Sequence, residues 1–139
     1  MFRIGFGQDS HCFSNNLEKK LILGGVEFPS GNKPLEGNSD ADVVIHALCN
    51  ALEQAIGKDS LSVYSDKMCK NGITDSREYL KVAAGHILKN GYFINNIGIT
   101  IEAKFPKILS MSGKIRESLA SCLKIRKEQI GLMLQAEKK

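Results

Sequence analysis

NSDADVVIHALCNAL, residues 38–52, passes from polar, turn-forming residues into an apolar run with helical spacing. Ser39 is a good N-cap, and Asp42 three residues later completes a capping-box-like pattern. The pattern predicts a helix from about Ser39 to Ile56, stopped by Gly57. Asp42 and His46 are four apart and share one face of that helix.

Outward from this helix, the chain divides into short segments. Upstream, residues 2–6 (FRIGF) read as a strand, and residues 20–28 (KLILGGVEF) as a second strand interrupted by Gly24-Gly25 at a bulge or tight bend. The stretch 29–38 is a loop by composition. Downstream, residues 58–74 show little periodicity and are expected to form a long polar, mobile loop. Thr74 or Asp75 caps a further helix, with Tyr79, Val82, Ala83, Ile87 and Leu88 at helical spacing and an end at Gly91. Residues 92–102 read as a strand, 110–123 as a third helix and 129–136 as a final strand. The order β-β-α-α-β-α-β predicts an α+β fold, with a single mixed β-sheet covered by helices on one face.

Composition narrows the class. A chain of 139 residues is expected to form a single domain, 1–139. The sequence has no run of about 18 apolar residues, so no membrane partner is expected. The formal charge of +4 is spread along the chain, which suits an anionic small ligand but falls short of the dense basic stripe of a nucleic-acid binder. Aromatic residues make up 6% and Trp is lacking, which leaves few stacking platforms for bases. Nucleic acid is therefore not an expected partner. Cys12, Cys49, Cys69 and Cys122 lack CxxC spacing and read as reduced thiols. Met1-Phe2-Arg3-Ile4-Gly5 runs straight into the first strand without a leader, so a cytoplasmic, bacterial-type protein is expected, and a processed plastid form would look the same.

One constellation carries chemistry. Asp9 and His11 are two apart just after the first strand, so an extended backbone puts them on one face. With His46 they make one carboxylate and two imidazoles, a common three-ligand set for catalytic zinc with the fourth position open to substrate. Asp42 is set aside, because a place in the first helical turn gives it structural work near the positive end of the dipole. Singly, each of these residues has an ordinary structural explanation: Asp40 and Asp42 as caps, His46 as a core histidine.

The joint pattern is more specific than its parts. RIGFGQDSH (3–11), LILGGVEFP (21–29), NSDADVVIHALCNAL (38–52), DSREYL (75–80) and ITIEAKFPKIL (99–109) together resemble, in order and across nearly the whole chain, the 2-C-methyl-D-erythritol 2,4-cyclodiphosphate synthases of the non-mevalonate isoprenoid pathway. That family's openings read G-x-G-x-D-x-H and S-D-x-D-x-x-x-H-A. The resemblance implies a homotrimer with its sheets facing a central axis and sites between subunits. It places Asp9, His11 and His46 at the Zn2+ ligand positions, one ion per subunit. Asn38 and Ser39 fall near the substrate phosphates, Asp59 where the erythritol hydroxyls are held, and Asp66 within a flexible acidic loop. Ala103, Pro106, Lys107, Ile108 and Leu109 fall where cytosine is cradled. Glu137 falls where a carboxylate binds Mg2+ or Mn2+ at the diphosphate. The implied reaction is cyclisation of a CDP-linked sugar alcohol phosphate with release of CMP. The attacking phosphate is already an anion, which fits a sequence without a GxSxG elbow or a placeable Cys-His pair.

The sequence also departs from the family. Asn38 stands where many members have His, and Tyr64-Ser65-Asp66-Lys67-Met68 replaces an F-P-D-T-D loop. Leu134-Gln135-Ala136-Glu137 stands where consecutive Thr residues usually precede the Glu, and the chain ends at Lys139 where a Gly-rich turn and another apolar segment usually follow. These departures motivate an alternative: a catalytically impaired, cytidine-nucleotide-binding relative with a truncated C-terminus. The metal set by itself would also fit a zinc phosphoesterase. Lys107 alone reads as a surface lysine, and His86 as a structural residue of the second helix.

Overall fold

Gly24 and Gly25 adopt φ of 62° and 77°, a left-handed pair that glycine takes without the Cβ penalty. They join two short antiparallel strands, β1 (Ile22–Leu23) and β2 (Val26–Glu27), with Ile22 opposite Glu27 and Leu23 opposite Val26. The interruption expected within one strand is thus the turn of a hairpin. A computed structural model describes residues 1–135 of the chain.

The first helix, α1, spans Val43–Ala55. Its N-cap is Asp42, whose carboxylate accepts from the Ile45 amide, and not Ser39 as the sequence pattern suggested. Ala41 explains the shift: its φ of 58° is left-handed, so the helix cannot run through it. Val44, Ile45, Leu48, Cys49 and Leu52 form the buried stripe of α1. The expected long loop contains a helix instead, α2 (Ser62–Lys70). Leu61 and Ser65, four apart, turn one side of it into the protein, while charged Asp66 and Lys67 face out. Helix α3 (Ser76–Lys89) is capped by Asp75 and packs on α1 through Tyr79, Leu80, Ala83 and Ile87.

The second sheet pairs β3 (Ile97–Glu102) in parallel with β4 (Ile130–Gln135), Ile97 opposite Ile130 and Glu102 opposite Gln135. Their crossover carries α4 (Ser112–Leu123), which buries Ile115, Leu119 and Leu123. Residues 92–96, expected as part of the strand, precede it unpaired by strand ladders. The fold is α+β, but the described residues form two two-stranded sheets in place of the single mixed sheet expected.

The expected first strand, residues 2–6, forms no ladder among the described residues. The N-terminal segment lies instead along α1. A Cβ on Gly5 would collide with the Ala51 carbonyl, and one on Gly7 with that of Ala47. The Gln54 side chain accepts the Phe6 amide at 2.7 Å, and Arg3 Nε donates to the Tyr92 hydroxyl at 3.1 Å. Two glycines one period apart let the backbone seat this closely, and their seat carries the chain to Asp9 and His11.

Candidate metal centre

Asp9, His11 and His46 come together although 35 residues separate the last two in sequence. Their potential ligand atoms all lie within 4.8 Å of one another. His11 Nε2 is 2.9 Å and His46 Nδ1 is 3.3 Å from Oδ2 of Asp9. The two rings are tilted by 55° with centroids 5.4 Å apart, so both present an edge to the carboxylate. The N-terminal segment delivers the first two residues, and the first full turn of α1 delivers the third.

The surrounding hydrogen bonds indicate what these nitrogens offer. His11 Nδ1 lies 2.6 Å from the carbonyl oxygen of Glu36, which can only accept. The Glu36 carbonyl therefore draws a proton to Nδ1, which leaves Nε2, 2.9 Å from Asp9 Oδ2, as the nitrogen that can meet a cation. Two imidazole nitrogens and a carboxylate oxygen that converge in this way can hold a cation between them, and a backbone carbonyl behind a ligand histidine is the usual second support of such a ring. Burial holds the His46 imidazole below its ordinary pKa, with the Asp9 charge opposing. Its ring is thus neutral near pH 7, as a metal ligand must be. The donor set of two imidazoles and a carboxylate fits Zn2+.

The other expected site residues lie on several elements. The Oγ of Ser39 accepts from the Ala41 amide at 3.2 Å and sits 3.5 Å from His46 Nε2. Asn38 is exposed, and its carbonyl accepts from the Cys69 thiol at 3.3 Å. That contact ties the segment before α1 to the end of α2. Asp59 is exposed before α2, and Asp66 is exposed on it. Burial, then the neighbouring Cys69 thiol, and only after them the Asp40 and Asp66 charges, raise the pKa of the Tyr79 hydroxyl. The Tyr79 ring lies 6.3 Å from that of His46.

Ala103 donates its amide to Gln135 O at 3.2 Å just beyond the paired strands. Pro106 is half-buried, Ile108 is buried, and Lys107 and Leu109 are exposed. Asp9, His11, Ala103, Pro106 and Ile108 all line one cleft of about 1480 Å³, bounded by the N-terminal segment, α1 and β3. Glu137 lies outside the described residues.

Asp42, set aside as a ligand, is fully buried and makes three backbone hydrogen bonds, to Ile45, Gly24 and Gly25. Asp40 and Ser76, which the sequence marked only as helix-start residues, touch the site: Ser76 Oγ is 2.9 Å from His46 Nε2 and donates to Asp40 Oδ1. No spacing rule links residues 40, 46 and 76, so only the packing of α3 on α1 reveals the group.

The fold and this centre define an α+β protein with a three-residue cluster able to hold a metal ion beside a large cleft. The profile of the YgbB family matches residues 2–139, and the chain belongs to that family. It is 40% identical over 135 residues to the 2-C-methyl-D-erythritol 2,4-cyclodiphosphate synthase of Chlamydia muridarum, covering 95% of this chain and 74% of that protein. It is 41% identical to the Chlamydia trachomatis serovar L2 protein of the same name, with 95% and 74% covered. Among solved structures, an IspF of Plasmodium falciparum in complex with CDP superimposes with a TM-score of 0.81 at 28% identity, covering 97% of this chain and 81% of that one.

Proposed function

We propose that this enzyme, a phosphorus–oxygen lyase by its family, converts 4-diphosphocytidyl-2-C-methyl-D-erythritol 2-phosphate to 2-C-methyl-D-erythritol 2,4-cyclodiphosphate and releases CMP. The observation that carries the reading is the convergence of Asp9, His11 and His46 in a chain of this family. The names of its relatives and the CDP held by a structural neighbour support the same substrate class.

An oxygen of the 2-phosphate attacks the β-phosphorus. A new P–O bond forms there as the bond to the CMP oxygen breaks, and CMP leaves with that electron pair. Two anions must approach, so charge neutralisation and orientation matter more than a strong base. Asp9, His11 and His46 would hold one Zn2+ per subunit, and Glu137 the Mg2+ or Mn2+ that accompanies the diphosphate. Bound divalent cations supply Lewis acidity and charge neutralisation at phosphate oxygens. Ser39 and Asn38, next to the cluster, bind phosphate through hydroxyl and amide. Asp59 holds the sugar hydroxyls, and Asp66 belongs to the acidic segment that follows it. Ala103, Pro106, Lys107, Ile108 and Leu109 receive the cytosine, with Lys107 as a point charge toward phosphate or ribose. Holding both ends of one substrate in attack geometry is worth roughly 7–11 kcal/mol of barrier.

The reading includes one domain over residues 1–139, a homotrimer and a cytoplasmic setting. The four cysteines are free, as a reducing compartment would keep them. No helix among the described residues is long and apolar enough to cross a membrane.

The test is phosphorus NMR of the zinc-replete protein with substrate and Mg2+. CMP and a cyclic diphosphate are expected together. Cytidine nucleotide binding without either product would favour the impaired relative instead, and hydrolysis to an open-chain product would favour a phosphoesterase.

A further inference from the structure

Ser76 is fully buried at the first turn of α3, 30 residues from His46 in sequence, yet its Oγ lies 2.9 Å from His46 Nε2. A serine hydroxyl has one proton. That proton goes to Asp40 Oδ1, because a carboxylate offers only acceptors. Ser76 Oγ is then left to accept, and the only proton available to it on this side is on His46 Nε2. The direction of the whole chain follows: His46 Nε2–H to Ser76 Oγ, Ser76 Oγ–H to Asp40. His46 Nδ1 is left bare and faces Asp9 Oδ2 at 3.3 Å.

Asp40 is itself held on several sides. Its Oδ2 accepts the Ser76 amide at 2.9 Å, its Oδ1 accepts the Asp42 amide at 3.1 Å, and its own amide donates to Thr74 O at 2.9 Å. The acceptor that sets the direction is thus fixed to the starts of both α1 and α3. Ser39 Oγ, at 3.5 Å from the same nitrogen, is a poorer partner and already accepts from the Ala41 amide.

From this geometry we infer that Ser76 and Asp40 are positioning residues that fix the tautomer and ring orientation of His46, so that Nδ1 is the metal-facing atom. The inference rests on the metal-site reading above. It gives the two histidines opposite assignments: His11 donates from Nδ1 to the Glu36 carbonyl and faces the metal through Nε2, and His46 donates from Nε2 to Ser76 and faces it through Nδ1. The packing of α3 on α1 thereby becomes part of the metal centre.

The test measures zinc affinity by chelator competition, the visible spectrum of the Co2+-substituted protein, and the melting temperature of the metal-free protein, for wild type, Ser76→Ala, Ser76→Thr and Asp40→Asn. Nitrogen-15 NMR of the imidazoles of the metal-free protein reads the tautomer directly. Ser76→Ala is expected to weaken zinc binding 10–100-fold, the usual effect of losing such a partner. It should also alter the Co2+ bands and mix the His46 tautomers. Ser76→Thr keeps the hydroxyl and should restore the Nε2–H tautomer and most of the affinity. Asp40→Asn should fall between the two. If Ser76→Ala binds zinc as wild type does, or leaves the His46 tautomer unchanged, the inference is overturned while the metal site stands. Wild-type protein that takes up no stoichiometric zinc overturns the metal-site reading, and this inference with it. If Ser76→Ala fails to fold, the wild-type nitrogen-15 spectrum decides: His46 protonated on Nδ1 in the metal-free protein overturns the inference.

Discussion

Glu53 Oε2 lies 2.8 Å from Nδ1 of His86 across the interface of α1 and α3, and Glu53 is 2% exposed. The edge of the Tyr64 ring, on α2, meets His86 with centroids 5.7 Å apart. The pair therefore sits where three helices meet, one turn or more beyond the end that carries His46. Removing the imidazole strands a buried carboxylate. His86→Ala is expected to destabilise the protein by about 2–4 kcal/mol, below the full range for wholly buried pairs because His86 is partly exposed. Urea unfolding checks this. An unchanged midpoint would show that Glu53 finds another partner.

The N-terminal segment reaches the metal centre only because Gly5 and Gly7 lie flat on α1. Gly7→Ala must push the backbone away from the Ala47 carbonyl. Overpacking of this kind costs about 1–3 kcal/mol. The larger expected effect is local: Asp9 and His11 move off His46, and zinc affinity drops with the far-ultraviolet circular dichroism unchanged. Wild-type affinity in this variant would mean that the segment can seat without the close approach.

Asp42 sets a pH dependence. Burial pushes its carboxyl up to about 7, against the opposing pull of its hydrogen bonds from the Ile45, Gly25 and Gly24 amides. In the unfolded chain the same group titrates near 3.9. Between about pH 4 and 7 the folded form holds a proton that the unfolded form has lost, so the stability contributed by Asp42 is present below pH 4 and is lost as pH rises to 7. Asp42→Asn is neutral throughout and keeps a cap oxygen for Ile45. Denaturation at pH 5 and pH 8 should show wild type losing on the order of 2 kcal/mol more than Asp42→Asn. Parallel losses would contradict the assignment.

Metal removal gives a fourth expectation. With zinc at 100 times its dissociation constant, binding adds about 2.7 kcal/mol of stability. Chelation should lower the melting temperature of wild type and leave that of Asp9→Asn nearly unchanged. Equal shifts in both proteins would place the zinc elsewhere.

The metal set was legible because its spacings are local: Asp9 and His11 on one extended face, His46 on a helix that an apolar stripe announces. α2 was not legible, since Ser62–Lys70 is polar and short and its helicity depends on Leu61 and Ser65 finding a buried side. The cap at Asp42 was assigned to Ser39 because the left-handed turn at Ala41 has no sequence signature in a residue that rarely adopts it. The strand expected at 2–6 has strand-like residues, but its backbone lies along a helix and forms no ladder in the described chain.

The sequence by itself determined the α1 and α3 helices and the existence of two later strands, which depend on neighbours within one or two turns, and it carried the candidate ligands and the family resemblance in short motifs; that the two strands pair in parallel came from the structure. Tertiary structure alone decided which atoms meet. The seat of Gly5 and Gly7 on α1 joins Asp9 to His46. The docking of α3 on α1 sets Ser76 and Asp40 behind that histidine, and Glu53 against His86. Such pairings are between residues 30 or more positions apart, where periodicity carries no information and only close packing of the helices selects the partner.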